Sequence, residues 1–292
     1  MKVNVDEIYN GLAEFVLTKG KRKGDRTGTG TISHFGSQIE FDLQEGFPIL
    51  SGKKLPMKAI SNELFWFLSG STDLKDLLDR NVNIWTDDAY RFHKEQGGTL
   101  SKDEFIEMAK TEGFDMGPIY GEQFRNWGAE WGNPVDQIAE IIDQVKNNPD
   151  SRRMMVTAYN PSVLGEITLP ACHTFFQLYV ADGELSCKMY QRSCDIFLGL
   201  PFNIASYALL VHLIATMLGL KVGRLIITFG DAHIYTNHIN QIKEQISRPI
   251  KKMPKLIVKT VKERIEDYTF EDLELVGYEP HPGIKGKLSV GN

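Results

Sequence analysis

Apolar residues recur at helical spacing over residues 6–19, where Ile8, Leu12, Phe15 and Val16 share a face and Gly20 follows as a stop. This spacing predicts an amphipathic helix. "AISNELFWFLSG" predicts a second helix, ending at Gly70. Between them, "DRTGTGTISHFG" (25–36) is a Gly/Thr-rich loop entering a strand, and "QIEFDLQ" (38–44) alternates apolar and polar residues as a half-buried strand does. Residues 86–116 are polar and weakly patterned and read as a surface insertion. Within them "SKDEFIEMAK" opens on a capping box, Ser101 with Glu104, and predicts a short helix. "PVDQIAEIIDQVKNNP" is amphipathic, with Pro134 near its start and Pro149 past its end.

The second half is richer in strands. "RRMMVTAYN", "HTFFQLYV" and "ELSCKMYQRS" are strand-like, with "ADGE" a turn between the last two. "GLPFNIASYALLVHLIATMLGL" is apolar almost all round and predicts a central buried helix. Its Asn203, Ser206, His212 and Thr216 favour a protein core over a membrane span. "RLIITFG" reads as a strand and "IYTNHINQIKEQIS" as a helix. There is no internal repeat and no regular βαβ alternation. The order predicts an α+β fold: one domain over 1–292, with helices packed on a large mixed β-sheet around the central helix.

Composition narrows the function. The chain has 292 residues, 42% hydrophobic and 24% charged, ordinary for a globular domain. Its net charge is −5 and no Lys/Arg block appears, so the electrostatic footprint of a nucleic-acid binder is missing. An anionic ligand would need a few placed arginines. Cys172, Cys187 and Cys194 are odd in number and form no CxxC, which points to a reduced, cytoplasmic setting. The N-terminus has acidic residues and no continuous apolar run of the kind a signal peptide carries. His233 and His238 stand five apart, a poor spacing for a helical metal site, and no metal is expected.

"TLPACHTFFQLYV" sets Cys172 beside His173 at the head of an apolar run. A free cysteine is usually a small buried hydrophobe. It becomes a nucleophile as the thiolate, which positive neighbours stabilise. Candidates for that role are Arg26, the pair Arg152–Arg153, and Arg192 in "MYQRSCD". Arg192 and Asp195 lie inside an apolar stretch, where charges must be paired or used. "DRTGTGT" is not GxGxxG and precedes a strand, so a dinucleotide or P-loop reading fails, while a phosphate held by Arg26 and the loop hydroxyls stays open. Asn203 offers a donor and an acceptor on one amide, as needed to read an edge such as O4 and N3–H of uracil. A helix-start polar contact is the alternative.

"LPACHTFFQLYV", "LSCKMYQRSCDIFLGLPFNIASYALLVHLIA" and "GDAHIYTNHI", with "DRTGTGT", "NELFWFLSGSTDL", "NIW", "GPIYGEQFRNWG", "SRRMMVTAYNP" and "GYEPHPGIKGKLSV", closely resemble the thymidylate synthase family over nearly the whole chain. The resemblance implies a methyltransferase that converts dUMP to dTMP with 5,10-methylenetetrahydrofolate as co-substrate, by way of a Cys172 adduct at carbon 6. It implies a homodimer formed through the sheet, needing neither nucleic acid nor membrane. By the same resemblance Arg26, Arg192 and Ser193 hold the phosphate, with Arg152 and Arg153 reaching in from the other subunit. Cys194, Asp195, Ile234, His233 and Tyr235 join the dUMP site, and Asn203 reads the base. Glu63 and Tyr120 serve proton transfer. Lys53, Ile84, Trp85, Leu169, Asp195, Leu198, Gly199, Phe202 and Ser289 form the folate site. The chain departs from the family pattern at Ala171 (usually proline), at Asp88 (often a second tryptophan), in "KKLPMK", which lacks a histidine, and beyond Val290, where Gly291 and Asn292 extend the tail. The related alternative is a hydroxymethylase acting on dUMP or dCMP, in which water replaces the hydride. A non-catalytic nucleotide- or RNA-binding protein on the same scaffold is the alternative from another class.

Overall fold

Alternating strands in the middle of the chain make the frame. The computed structural model describes residues 3–289. The tail residues Val290, Gly291 and Asn292 lie outside the described residues. The main sheet has seven strands: β1 (Lys21–Lys23), β2 (Thr31–Phe35), β3 (Gln38–Asp42), β4 (Met155–Thr157), β5 (His173–Ala181), β6 (Glu184–Asp195) and β7 (Lys221–Tyr235). Their order is β1-β2-β7-β6-β5-β4, with β3 also on β7. β7 pairs with β3 along its first half, Gln38 opposite Thr228, and with β2 along its second, Phe35 opposite Asp231. β6 and β7 are parallel and the other neighbours antiparallel, so the sheet is mixed. The β5–β6 hairpin turns at Asp182 and Gly183, with φ of 52° and 73°. Positive φ at both central residues is the type I′ turn that suits strand twist.

Helices α1 (Val5–Lys19), α2 (Met57–Ser69), α3 (Leu74–Leu78), α4 (Thr86–Glu95), α5 (Lys102–Glu112), α6 (Tyr120–Arg125), α7 (Gln137–Asn147), α8 (Gly199–Leu218) and α9 (Ile239–Ser247) complete the domain. β8 (Lys255–Val258) and β9 (Leu273–Val276) form a separate hairpin. A parallel pair needs a crossover, and α8 supplies it between β6 and β7. It lies against both strands and also against α2 and β8, which is why it is apolar on every side. It is long and apolar enough to cross a membrane, but Leu209, Val211, Leu213 and Ile214 are buried within the domain.

Several boundaries differ from the sequence reading. α7 starts at Gln137, where the Asp136 side chain caps the Ala139 N–H at 2.9 Å, not at Pro134. β7 continues through Tyr235, so the next helix begins at Ile239 after a 3₁₀ turn. Residues 86–116 hold two helices, and Phe92, Phe105 and Phe114 pack edge-on between them. On β5 and β6, Phe176, Leu178, Leu185, Cys187 and Met189 are buried. Residues pointing the other way are not: Tyr179 is 63% exposed, and Phe175 stacks on Tyr190 with ring centroids 5.7 Å apart.

Candidate active site

Parallel strands finish at the same edge of a sheet. The ends of β6 and β7 therefore bring Arg192, Ser193 and Asp195 beside Asp231, His233 and Tyr235, with Asp195 opposite His233. Cys172 immediately precedes β5, and the Arg192 N–H donates to its carbonyl at 2.9 Å. Where β7 passes this point it carries Gly230, at which a Cβ would lie 2.7 Å from the Arg192 carbonyl oxygen. Only glycine fits there without moving the backbone. The first turns of α8 add Gly199, Phe202 and Asn203. Glu63 comes from α2, Tyr120 from α6 and Arg26 from the β1–β2 loop. Together they wall a cavity of about 770 Å3 and a second, adjoining one of about 820 Å3.

Cys172 is half-buried, whereas Cys187 and Cys194 are buried. Its neighbour His173 is not its base. The imidazole packs against Tyr120 and Tyr207, with centroids 5.4 and 5.2 Å away, and hydrogen-bonds Asn203. Burial lowers its pKa to about 4, so it is neutral at pH 7. Burial also pushes the Cys172 thiol up. Arg192 pulls it down, as the sequence suggests, but does not outweigh burial, and Asp88 adds to the upward push. Arg192 is fixed by the chain leading to the cysteine, donating from Nε to the Ala171 carbonyl at 2.9 Å and from Nη2 to the Pro170 carbonyl at 2.6 Å. The Tyr120 hydroxyl oxygen accepts the N–H groups of Cys172 and His173 at 2.7 and 3.1 Å. Burial raises that phenol far above its ordinary range.

Arg26 sits on a loop organised by its neighbour. The Asp25 carboxylate accepts the Thr27 N–H, the Thr27 hydroxyl and the Gly30 N–H at 2.8, 2.5 and 2.6 Å. Burial works against ionisation, but these bonds win and hold the carboxyl below its usual range. Asn203 Oδ1 accepts from Gln191 Nε2 at 2.9 Å, which orients its amide. Asp195 Oδ1 accepts the N–H groups of Phe197 and Leu198 at the start of α8. His233 Nδ1 lies 3.2 Å from Asp231, which Lys23 also pairs.

The second cavity is lined by Ile84, Trp85, Leu169, Leu198, Gly199 and Phe202 around Asp195, a mostly apolar slot that Glu63, Asp87 and Asp88 also border. Glu63 stands where the cavities meet, accepting the Trp85 indole N–H at 2.7 Å. Burial raises its pKa to about 7, against the lowering effect of that bond. Leu288 borders both cavities. Ser289 borders the first, and its hydroxyl meets that of Thr29 at 3.3 Å.

Other residues singled out from the sequence line neither cavity. Lys53 is buried. It donates to the Phe197 carbonyl and lies 3.6 Å above that ring, supporting the start of α8. Cys194 and Ile234 are fully buried. Arg152 and Arg153 are exposed beside β4. Sequence reasoning missed Arg91 and Gln191 and treated Asp88 only as a departure, yet all three border the first cavity. A carboxylate and a guanidinium three residues apart were the available signal. Among the described residues no three His, Cys, Asp or Glu side chains group as metal ligands.

A family model described as thymidylate synthase matches residues 7–290. A thymidylate synthase of Listeria monocytogenes serotype 4b (strain CLIP80459) is 48% identical, covering 97% of this chain and 99% of the relative. One from Listeria innocua serovar 6a is 47% identical with the same coverage.

Proposed function

The chain belongs to the thymidylate synthase family, and from that premise we propose that it methylates dUMP to dTMP with 5,10-methylenetetrahydrofolate, which leaves as dihydrofolate. The observation that supports this most is one cavity holding the Cys172 thiol, Arg26, Arg192 and Asn203 against an apolar slot that holds Trp85 and Asp195.

Arg26, Arg192 and Ser193 take the nucleotide's phosphate, whose oxygens match the guanidinium fork. Exposed Arg152 and Arg153 complete this grip in a neighbouring subunit, so the active species is a homodimer. Asn203, its amide orientation set by Gln191, reads O4 and N3–H. His233 and Tyr235 hold the sugar hydroxyl. Arg192, which also faces Cys172, favours the thiolate. Cys172 gives its proton to water and bonds to carbon 6, and carbon 5 becomes the nucleophile. The one-carbon unit comes from the folate, carbon 5 loses its proton, the hydride follows from the same folate, and the Cys172–carbon 6 bond breaks to release dTMP and restore the thiol. Glu63, near its midpoint at neutral pH, donates a proton toward O4 as charge builds there. Tyr120 holds the Cys172 backbone near the step that removes the carbon 5 proton.

The test is product analysis after mixing the protein with dUMP and methylenetetrahydrofolate. dTMP with equimolar dihydrofolate is expected. Hydroxymethyl-dUMP with tetrahydrofolate would instead assign a hydroxymethylase, and no change in either substrate would leave the binding role. Cys172→Ala should bind dUMP yet form neither product.

A further inference from the structure

One charged group at the cavity wall has no part in that scheme. Arg91 on α4 has a side chain only 13% exposed. Its Nη2 donates to the Thr168 carbonyl at 2.7 Å and lies 3.4 Å from Asp88, while Nη1 donates to Glu95 at 2.7 Å. Its Nε is buried and has no hydrogen-bond partner among the described residues, and the contacts of Nη1 and Nη2 fix the guanidinium. Thr168 opens the strap 168–171 that leads into Cys172. Arg192 binds the Pro170 and Ala171 carbonyls from β6. Two guanidiniums from separate elements thus hold three carbonyls of one irregular segment. The Thr168 N–H and hydroxyl also bond the Met116 carbonyl at 3.0 and 2.9 Å, anchoring the strap's far end. Ala171 lacks the fixed φ that proline would give this segment, so outside contacts must position it. Leu169 on the strap and Asp88 on α4 border both cavities, so the clamp lies between them.

We propose that Arg91 is a positioning residue for the Cys172 nucleophile, acting through strap 168–171, with Asp88 holding the guanidinium in place. This rests on the reading of Cys172 as nucleophile. The test compares full-length Arg91→Met, Arg91→Lys and Asp88→Asn with the unaltered protein. It measures kcat, the dUMP KM and the rate of Cys172 alkylation by iodoacetamide, followed by mass spectrometry. Cys187 and Cys194 are buried, so alkylation reports the strap. Arg91→Met should lower kcat roughly 10- to 100-fold, the scale of a 1 Å misplacement. Its dUMP KM should stay within about threefold, since Arg91 is not one of the phosphate-binding arginines. Its alkylation rate should change by about threefold or more. Arg91→Lys should recover part of the loss, because an ammonium reaches one carbonyl but cannot fork to Asp88 as well. Asp88→Asn should fall between Arg91→Lys and the unaltered protein. Unchanged kcat and alkylation in Arg91→Met would overturn the proposal, as would equal rises in KM and falls in kcat. Should Arg91→Met fail to fold, unaltered values in both Arg91→Lys and Asp88→Asn would overturn it. Alkylation needs no substrate. It therefore judges the clamp even if the unaltered protein makes no dTMP, a result that would defeat the functional reading instead.

Discussion

The burial that suits Glu63 to the proton transfer proposed above also makes it unfavourable for folding. Its carboxyl titrates near 7 in the folded protein and near 4.5 when exposed. Between those values the native state binds more protons than the unfolded one, so stability falls as pH rises through that window, by up to about 3 kcal/mol. Glu63→Gln should therefore be more stable than the unaltered protein at pH 8, by about 1–3 kcal/mol, with the difference vanishing below pH 5. Thermal melts at both pH values check this. Turnover of the same variant should drop roughly 10²- to 10⁴-fold. Asn203 gives a second residue-scale expectation. In Asn203→Asp the Gln191 bond persists, because a carboxylate oxygen also accepts, but the donor toward O4 is gone. Preference should move from dUMP toward dCMP by roughly 10- to 150-fold in kcat/KM. Unchanged uracil selectivity would refute the edge-reading role.

At the scale of elements, what could be read in advance follows the physics of each segment. α1, α2, α5 and α8 carry their own signals: an amphipathic period, a capping residue, a glycine stop, or an apolar run too long for a strand. Ser101 is a clear case, accepting the Glu104 N–H while the Glu104 carboxylate returns to the Ser101 N–H at 2.8 Å. Ser101→Ala should lower stability by about 1 kcal/mol, seen as a fall in Tm, without altering Cys172 alkylation. α4 gives no such signal. Trp85 precedes it without a side-chain cap, and only Thr86, Ala89 and Phe92 of its residues are buried. Its Asp88 and Arg91 become meaningful only against a carbonyl 77 residues away. Cys172, Arg192 and Asn203 stood out because a thiol, a charge and an amide are conspicuous in apolar sequence. Strand ends were harder, since β7 runs through the "GDAHIY" motif without a local change of pattern. Gly230 sits in that run. Gly230→Ala should destabilise the sheet by about 1–3 kcal/mol, because a methyl group has no room beside the Arg192 carbonyl. Urea unfolding would measure it.

The whole molecule has a sheet with one buried side and one bearing Phe175, Tyr179 and Tyr190. In the homodimer proposed above, a second copy covers that face and the exposed Arg152 and Arg153 serve the neighbour's nucleotide. Under that arrangement, a variant lacking both arginines and a Cys172→Ala variant are each inactive alone. Reassociated in equal amounts, they should regain up to about a quarter of normal activity, since half the dimers are mixed and each mixed dimer has one intact site. No recovery, or a monomer in sedimentation, would refute shared sites.

The bond from the Arg192 amide to the Cys172 carbonyl runs through main chain alone. That link survives replacement of either side chain, although the Arg192 guanidinium also steadies the Pro170 and Ala171 carbonyls on the approach to the thiol. A double-mutant cycle on the pair therefore reports that carbonyl grip together with the influence of the charge on the sulfur.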